Sequence, residues 1–175
     1  MANVIKQRMA AEIEGDFVVF IIGARFGPPW KIFRNFWFIN SMPKMLRELE
    51  KKPEAGLLGY RQFLGLRGAT LIQYWRSFEQ LEAYARSKDA EHFPNWVKFN
   101  KRIGSNGEVG IWHETYKVRA GEYEAVYNNM PPFGLGKVGK LVPAAGYRNT
   151  AKGRITGQDD EAPVSPEGEV VGAAN

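Results

Sequence analysis

The segment Asp16–Ala24, DFVVFIIGA, restricts the fold more than any other part of the chain. It is apolar at both parities and dense in β-branched and aromatic side chains, which predicts a strand covered on both faces and central in its sheet. Gly27-Pro28-Pro29 ends it. Large apolar residues then recur at Trp30, Phe33 and Trp37 and at Phe36 and Ile39. That spacing predicts a helix running to about Lys52, with Pro29 suited to its first turn and a kink at Pro43. Leu57–Leu64 and Ala69–Ser77 read as two strands joined by Gly65-Leu66-Arg67-Gly68, an antiparallel hairpin. Phe78–Arg86 is a helix, Asp89–Ile103 continues it or forms another with Pro94 in its first turn, and Gly104–Gly107 is a turn cluster. Glu108–Arg119 returns as a strand. The order β-α-β-β-α-β places the chain in the α+β class with a four-stranded antiparallel sheet.

The remaining segments complete the domain plan. Residues 122–150 contain Met130-Pro131-Pro132-Phe133-Gly134 and Lys140-Leu141-Val142-Pro143, too apolar to be solvated, and are expected as an irregular covering segment over a single domain spanning 1–150. Residues 151–175, rich in Gly, Pro, Ser and acids, are expected as a flexible acidic tail. Because that tail is acidic, the net charge of +5 rests on the body. The basic residues there are scattered singly through amphipathic segments, so nucleic acid is not an expected partner. The apolar run Phe17–Ala24 is far below the roughly 20 residues needed to span a bilayer, so no membrane span is expected. The first sixteen residues do not resemble a secretory signal, which leaves the cytoplasm as the expected compartment.

Zero cysteines exclude disulfides, thiol catalysis and iron–sulfur clusters, and two histidines make a closed zinc site improbable. Chemistry must therefore come from a short set of side chains. In the last strand Ile111, His113, Thr115 and Lys117 share one parity, and Trp112, Glu114, Tyr116 and Val118 the other. If the aromatic parity faces the core, Glu114 is a carboxylate in an apolar wall, prepared as a proton acceptor or donor, and His113 points the opposite way, toward a partner. Alternatively Glu114 pairs with Arg61 or Arg76 across the sheet. His92 precedes Trp96 by four residues, so imidazole and indole share a helix face. His92 is then either a working group or a helix-surface histidine near the Pro94 turn. Trp30, Trp37, Trp75, Trp96 and Trp112, with Phe33, Phe36, Phe63, Tyr60 and Tyr74, exceed what the core requires and suit a flat hydrophobic ligand or a large interface. Trp37, Trp96, Trp112, Tyr116 and Tyr74 are the candidate lining of a substrate site, with Arg61 (and Arg34 or Arg76) available for an anionic group. Gly134-Leu135-Gly136-Lys137-Val138-Gly139 has the letters of a dinucleotide fingerprint but neither the βαβ context nor a following acid. Its glycines are expected to let the chain turn while Leu135, Val138 and Leu141 dock.

A strand, a helix, a hairpin ending Tyr74-Trp75-Arg76-Ser77, a helix with Leu81 and Tyr84, then Ser87 and His92 resemble the dimeric α+β barrel superfamily of antibiotic-biosynthesis monooxygenases. Gly110–Val118 (GIWHETYKV) and Glu122–Ala144 (EYEAVYNNMPPFGLGKVGKLVPA) resemble, within it, the family typified by a monooxygenase of the fumagillin pathway. The resemblance covers roughly residues 10–150. It implies a ferredoxin-like architecture, a homodimer with two sheets face to face, and a cavity between sheet and helices for a hydrophobic small molecule. Cofactor-free oxygenation is the implied leading activity, with Glu114, His113 or His92 managing the proton. Members of the superfamily also bind haem through a histidine on a helix after the third strand. His92 matches that position, so haem is the alternative cofactor, with dehydratase or peroxidase-like chemistry. The first strand lacks the asparagine of haem-degrading members and Tyr84 stands where they carry tryptophan, so that activity is not implied. A non-catalytic ligand-binding dimer is the third reading.

Overall fold

A computed structural model describes residues 3–27, 41–104 and 106–158. In chain order its elements are β1 (Ile5–Glu12), β2 (Phe17–Phe26), α1 (Ser41–Glu50), β3 (Leu57–Gly65), β4 (Gly68–Trp75), α2 (Phe78–Arg86), α3 (His92–Arg102), β5 (Val109–Val118), β6 (Val126–Met130), α4 (Leu135–Val138), β7 (Lys140–Pro143) and α5 (Ala151–Thr156). Two compact units form: residues 16–117, and residues 1–15 together with 118–175.

The first unit carries the expected βαββαβ order. Its sheet runs β3-β4-β2-β5, which puts β2 in the centre as its sequence requires and makes the unit ferredoxin-like. The β3–β4 hairpin closes through Leu66-Arg67, with Gly65 opposite Gly68 and Leu64 opposite Ala69. Val18, Leu49, Trp75 and Leu81 are buried together between sheet and helices, with Phe20, Leu57, Phe78 and Tyr84 packed around them. Phe99, Ile103 and Val109 seat α3 on the start of β5. Ser77 caps α2, its hydroxyl accepting from the Gln80 N–H at 3.1 Å, a cap that stabilises by about 1 kcal/mol. Pro43 lies in the first described turn of α1, and the predicted helical residues 30–40, Trp37 and Arg34 among them, lie outside the described residues.

Central position covers β2 only partly on either face: Phe17 and Val18 are buried, whereas Val19, Phe20, Ile21 and Ile22 are all half-buried.

The second unit corrects two expectations. Residues 122–150 are not an irregular cover: β6 and β7 flank β1 in a three-stranded antiparallel sheet, order β6-β1-β7. The strand at Ile5–Glu12 is polar on its early positions and carries its buried residues at Ala10 and Ala11, small side chains that give little strand signal. The Tyr123 hydroxyl grips both backbone groups of Ile13, accepting from its N–H at 2.6 Å and donating to its carbonyl at 3.2 Å. The expected tail begins instead with a helix, α5, capped by Thr150 and tied down by Arg154, which reaches Glu124 at 2.8 Å and the carbonyls of Arg148 and Asn149.

Candidate functional site

Pairing within the 16–117 sheet decides which candidate residues share a face. Val18 opposes Trp75, Phe20 opposes Gln73 and Ile22 opposes Leu71, so these residues face the helices, while Val19–Tyr74, Ile21–Ile72 and Gly23–Thr70 form rows on the opposite, open face. On the other side of β2, the Gly27 N–H donates to the Glu108 carbonyl at 2.8 Å. Arg25 lies against Gly110, and Gly23 lies under the Trp112 indole. Residue numbers fall along β2 as they rise along β5, so Trp112, Glu114 and Tyr116 are on the open face and Ile111, His113 and Lys117 on the helix face. Contacts agree: the His113 ring sits 5.6 Å from Phe20, and the Lys117 ammonium 5.7 Å from Phe78.

This reverses the orientation that would have set Glu114 in the core wall. Glu114 is exposed and accepts from the Tyr116 hydroxyl at 2.6 Å. The carboxylate acceptor raises the Tyr116 pKa, since deprotonation would break the bond and set two anions side by side. Arg61 opposes Ile72 on β3, and so joins Tyr74, Trp112 and Tyr116 on the open face. Five of the candidate residues therefore gather on one surface.

His92 stands at the first turn of α3 beside the helix-face core. Its Nδ1 lies 2.8 Å from the Ala85 carbonyl. A carbonyl only accepts, so Nδ1 carries the proton and Nε2 keeps its lone pair. Burial pushes the imidazole below its ordinary pKa, against the raising effect of the Ala85 bond, and keeps it neutral. Its ring is 6.4 Å from Tyr84, which in turn is 6.0 Å from the buried Trp75. The Tyr84 hydroxyl donates to Glu48 Oε2 at 3.1 Å. The same oxygen accepts the Glu91 N–H at 2.9 Å, and Glu48 Oε1 holds Lys52 at 2.9 Å. Burial, then the Glu48 charge, pushes the Tyr84 phenol well above its usual range. Glu48 thus ties α1, α2 and the entry to α3 around His92. The i, i+4 spacing of Glu48 and Lys52 is visible in the sequence, but the Tyr84 and Glu91 contacts are not.

Both histidines lie beside residues packed on the same buried cluster, the half-buried His92 beside Tyr84 and the exposed His113 beside Phe20. Trp96 does not join them: it is 48% exposed and stacks on Phe99 at 6.1 Å. Trp37 lies outside the described residues. Among the described residues no group of three or more His, Asp or Glu is placed to hold a metal ion, and no helix is long and apolar enough to cross a membrane. The glycine-rich run has a packing explanation. A Cβ on Gly136 would meet Leu141 at 2.8 Å and the Tyr127 ring at 3.0 Å, and one on Gly139 would overlap the Glu12 carbonyl. The Tyr127 hydroxyl accepts the Gly136 N–H at 3.0 Å, and Leu135 is buried as expected.

Two solved aldoxime dehydratases share the fold. One, in complex with butyraldoxime, superposes with a TM-score of 0.62 at 16% identity, over 79% of this chain and 43% of that one. The second gives 0.59 at 18% identity, over 82% and 45%. Monooxygenase af470 of Aspergillus fumigatus is 30% identical over 157 residues, 78% of this chain and 56% of the relative. The chain thus spans little more than half the length of that relative. The model of the Monooxygenase af470-like family matches residues 17–135, the stretch that contains the whole ferredoxin-like sheet and both histidines. The resemblance read from GIWHETYKV and from the hairpin and helix motifs is borne out, and the chain belongs to the Monooxygenase af470-like family.

Proposed function

We propose that the chain is a monooxygenase-like oxidoreductase acting on a hydrophobic small molecule, with the reacting group received on the helix face of the four-stranded sheet. The observation that carries this reading, beside family membership, is the state of His92: a neutral imidazole beside the Tyr84 ring, its Nδ1–H fixed on Ala85 and its Nε2 lone pair left available. Such a group accepts a proton without first having to lose one. Without a cofactor, the electrons must come from the substrate. An activated methylene deprotonated by the imidazole becomes a carbanion able to give electrons to dioxygen. One oxygen atom becomes the carbonyl of the product, and the other leaves as water with the two hydrogens of that carbon. The protein deprotonates, orients and desolvates. Oxygen uptake on electron-rich phenolic or methylene substrates tests the reading. His92→Ala is expected to lower kcat at least about 100-fold, the scale of a lost general base, whereas Glu114→Gln on the open face leaves it within a few-fold. Full activity in His92→Ala would refute it.

The same histidine favours one second reading. Donation from one ring nitrogen to a backbone carbonyl is how axial histidines are oriented, so His92 Nε2 fits a haem iron. A haem held there would supply redox chemistry that no side chain in this chain has. The absorption spectrum after incubation with haemin separates the two readings: a Soret band lost in His92→Ala supports haem, and no uptake removes it.

A further inference from the structure

The β3–β4 hairpin ends in an apolar tip that the fold leaves bare. Leu66 is 100% exposed, Leu64 78% and Phe63 43%. Single exposed leucines are ordinary, but two on one tight turn beside a half-bare phenylalanine form an apolar projection. The tip is held in place. Leu64 pairs with Ala69 and Gly65 with Gly68, the Phe26 N–H donates to the Arg67 carbonyl at 2.8 Å, and Gly68 approaches the Ala24 carbonyl too closely for a Cβ.

Cations accompany it. Arg67 lies in the turn itself, and from Ala55 to Phe78 the sequence holds no acidic residue. Arg25, exposed, ends β2 at the same end of the sheet, its guanidinium donating to the Gly107 carbonyl at 2.9 Å. Lys101 and Arg102 close α3 just before the turn that leads into β5 at that end. Glu108, whose carbonyl accepts from the Gly27 N–H, lies at the same end.

We propose that this tip docks on an anionic phospholipid surface. Leu64 and Leu66 enter the boundary between headgroups and acyl chains while Arg67, Arg25 and Lys101 meet lipid phosphates. Shape and size favour a bilayer over a folded partner. The projection is convex, and a stable protein interface needs about 1,000 Å² or more, far beyond two leucines. A bilayer closes around a small convex tip and adds attraction for each cation. Surface attachment of this kind needs no spanning helix, and it does not depend on the oxygenase reading.

Cosedimentation of the full chain with phosphatidylcholine vesicles, with and without about one-third phosphatidylserine, tests it. Binding is expected for the anionic vesicles and should weaken with added salt. The pair Leu64→Ser and Leu66→Ser is expected to lower partitioning at least about tenfold, and Arg67→Gln about fivefold. Both leucines are solvent-exposed, so far-UV circular dichroism and the thermal midpoint should stay unchanged. No binding to anionic vesicles, or undiminished binding by the leucine pair, overturns the proposal. So does a wild-type oligomer in sedimentation equilibrium that the leucine pair dissolves, which would assign the tip to a second copy of the chain.

Discussion

The indole of Trp112 lies on the backbone of Gly23, in the space where any other residue at position 23 would carry its Cβ. A glycine in the middle of a central strand weakens it through lost packing and added chain entropy. Here the absent side chain is what lets a tryptophan lie flat across two strands on the open face.

Gly23→Ala is therefore expected to destabilise the protein by about 1–3 kcal/mol, the range for overpacking. The methyl group must displace the indole, so Trp112 fluorescence should also shift. Urea unfolding of Gly23→Ala beside Gly23→Ala/Trp112→Ala checks the cause, because the double variant should recover part of the loss.

Trp75 is 1% exposed and donates its indole N–H to Gln73 Oε1 at 2.8 Å, and Gln73 is itself buried. Trp75→Phe strands the amide and should cost about 2–4 kcal/mol, combining lost volume with an unpaired buried acceptor. Gln73→Leu with Trp75→Phe should cost less than the two single changes added together. A double-mutant cycle in urea measures the difference.

Glu48 carries a pH dependence. Burial pushes its pKa up, but the Glu91 N–H, Lys52 and Tyr84 bonds together outweigh that and hold it below the ordinary 4.5. A group depressed in the folded state stabilises above its unfolded value and loses that contribution as pH falls through the folded one. Thermal midpoints should thus drop below about pH 4.5 more steeply in the wild type than in Glu48→Gln. Equal slopes would show that Glu48 contributes no linkage.

His92 acts in a higher window with the same sign. Burial lowers its pKa below 6.5, so the unfolded chain binds the proton more readily than the folded one. Its contribution is complete above pH 6.5 and is lost as pH falls toward the folded value. A proton NMR titration of the His92 ring should give a midpoint below 6.5, and His92→Gln should flatten the stability profile across that interval.

Tyr116 and Glu114 report on the open face. Glu114→Gln removes the charge that holds the phenol proton, so the Tyr116 titration followed near 295 nm should move down toward the ordinary tyrosine value of 10.0. An unchanged titration would mean that the 2.6 Å bond does not persist in solution.

Local periodicity carried most of the 16–117 unit. The apolar run at Asp16–Ala24, the Gly65–Gly68 turn and the helical run Phe78–Arg86 each state their own conformation, because strand, turn and helix preferences depend on residues next to one another. Family membership was legible for a similar reason, in contiguous motifs. The second sheet was not. Ala10 and Ala11 are small, β6 and β7 are short, and their pairing joins residues more than a hundred positions apart, which no local pattern records. The face that each β5 side chain takes also escaped local reading. Alternation along β5 divides His113 from Glu114, but only the register against β2, anchored at Gly23 and Gly27, says which of the two meets the helices. The sequence alone thus determined the elements, their order and the pool of reactive side chains. The tertiary structure decided that His92 and His113 lie beside residues packed on one buried cluster while Glu114, Tyr116, Trp112, Tyr74 and Arg61 share the opposite face, because a one-residue choice of register turns every side chain of a strand over.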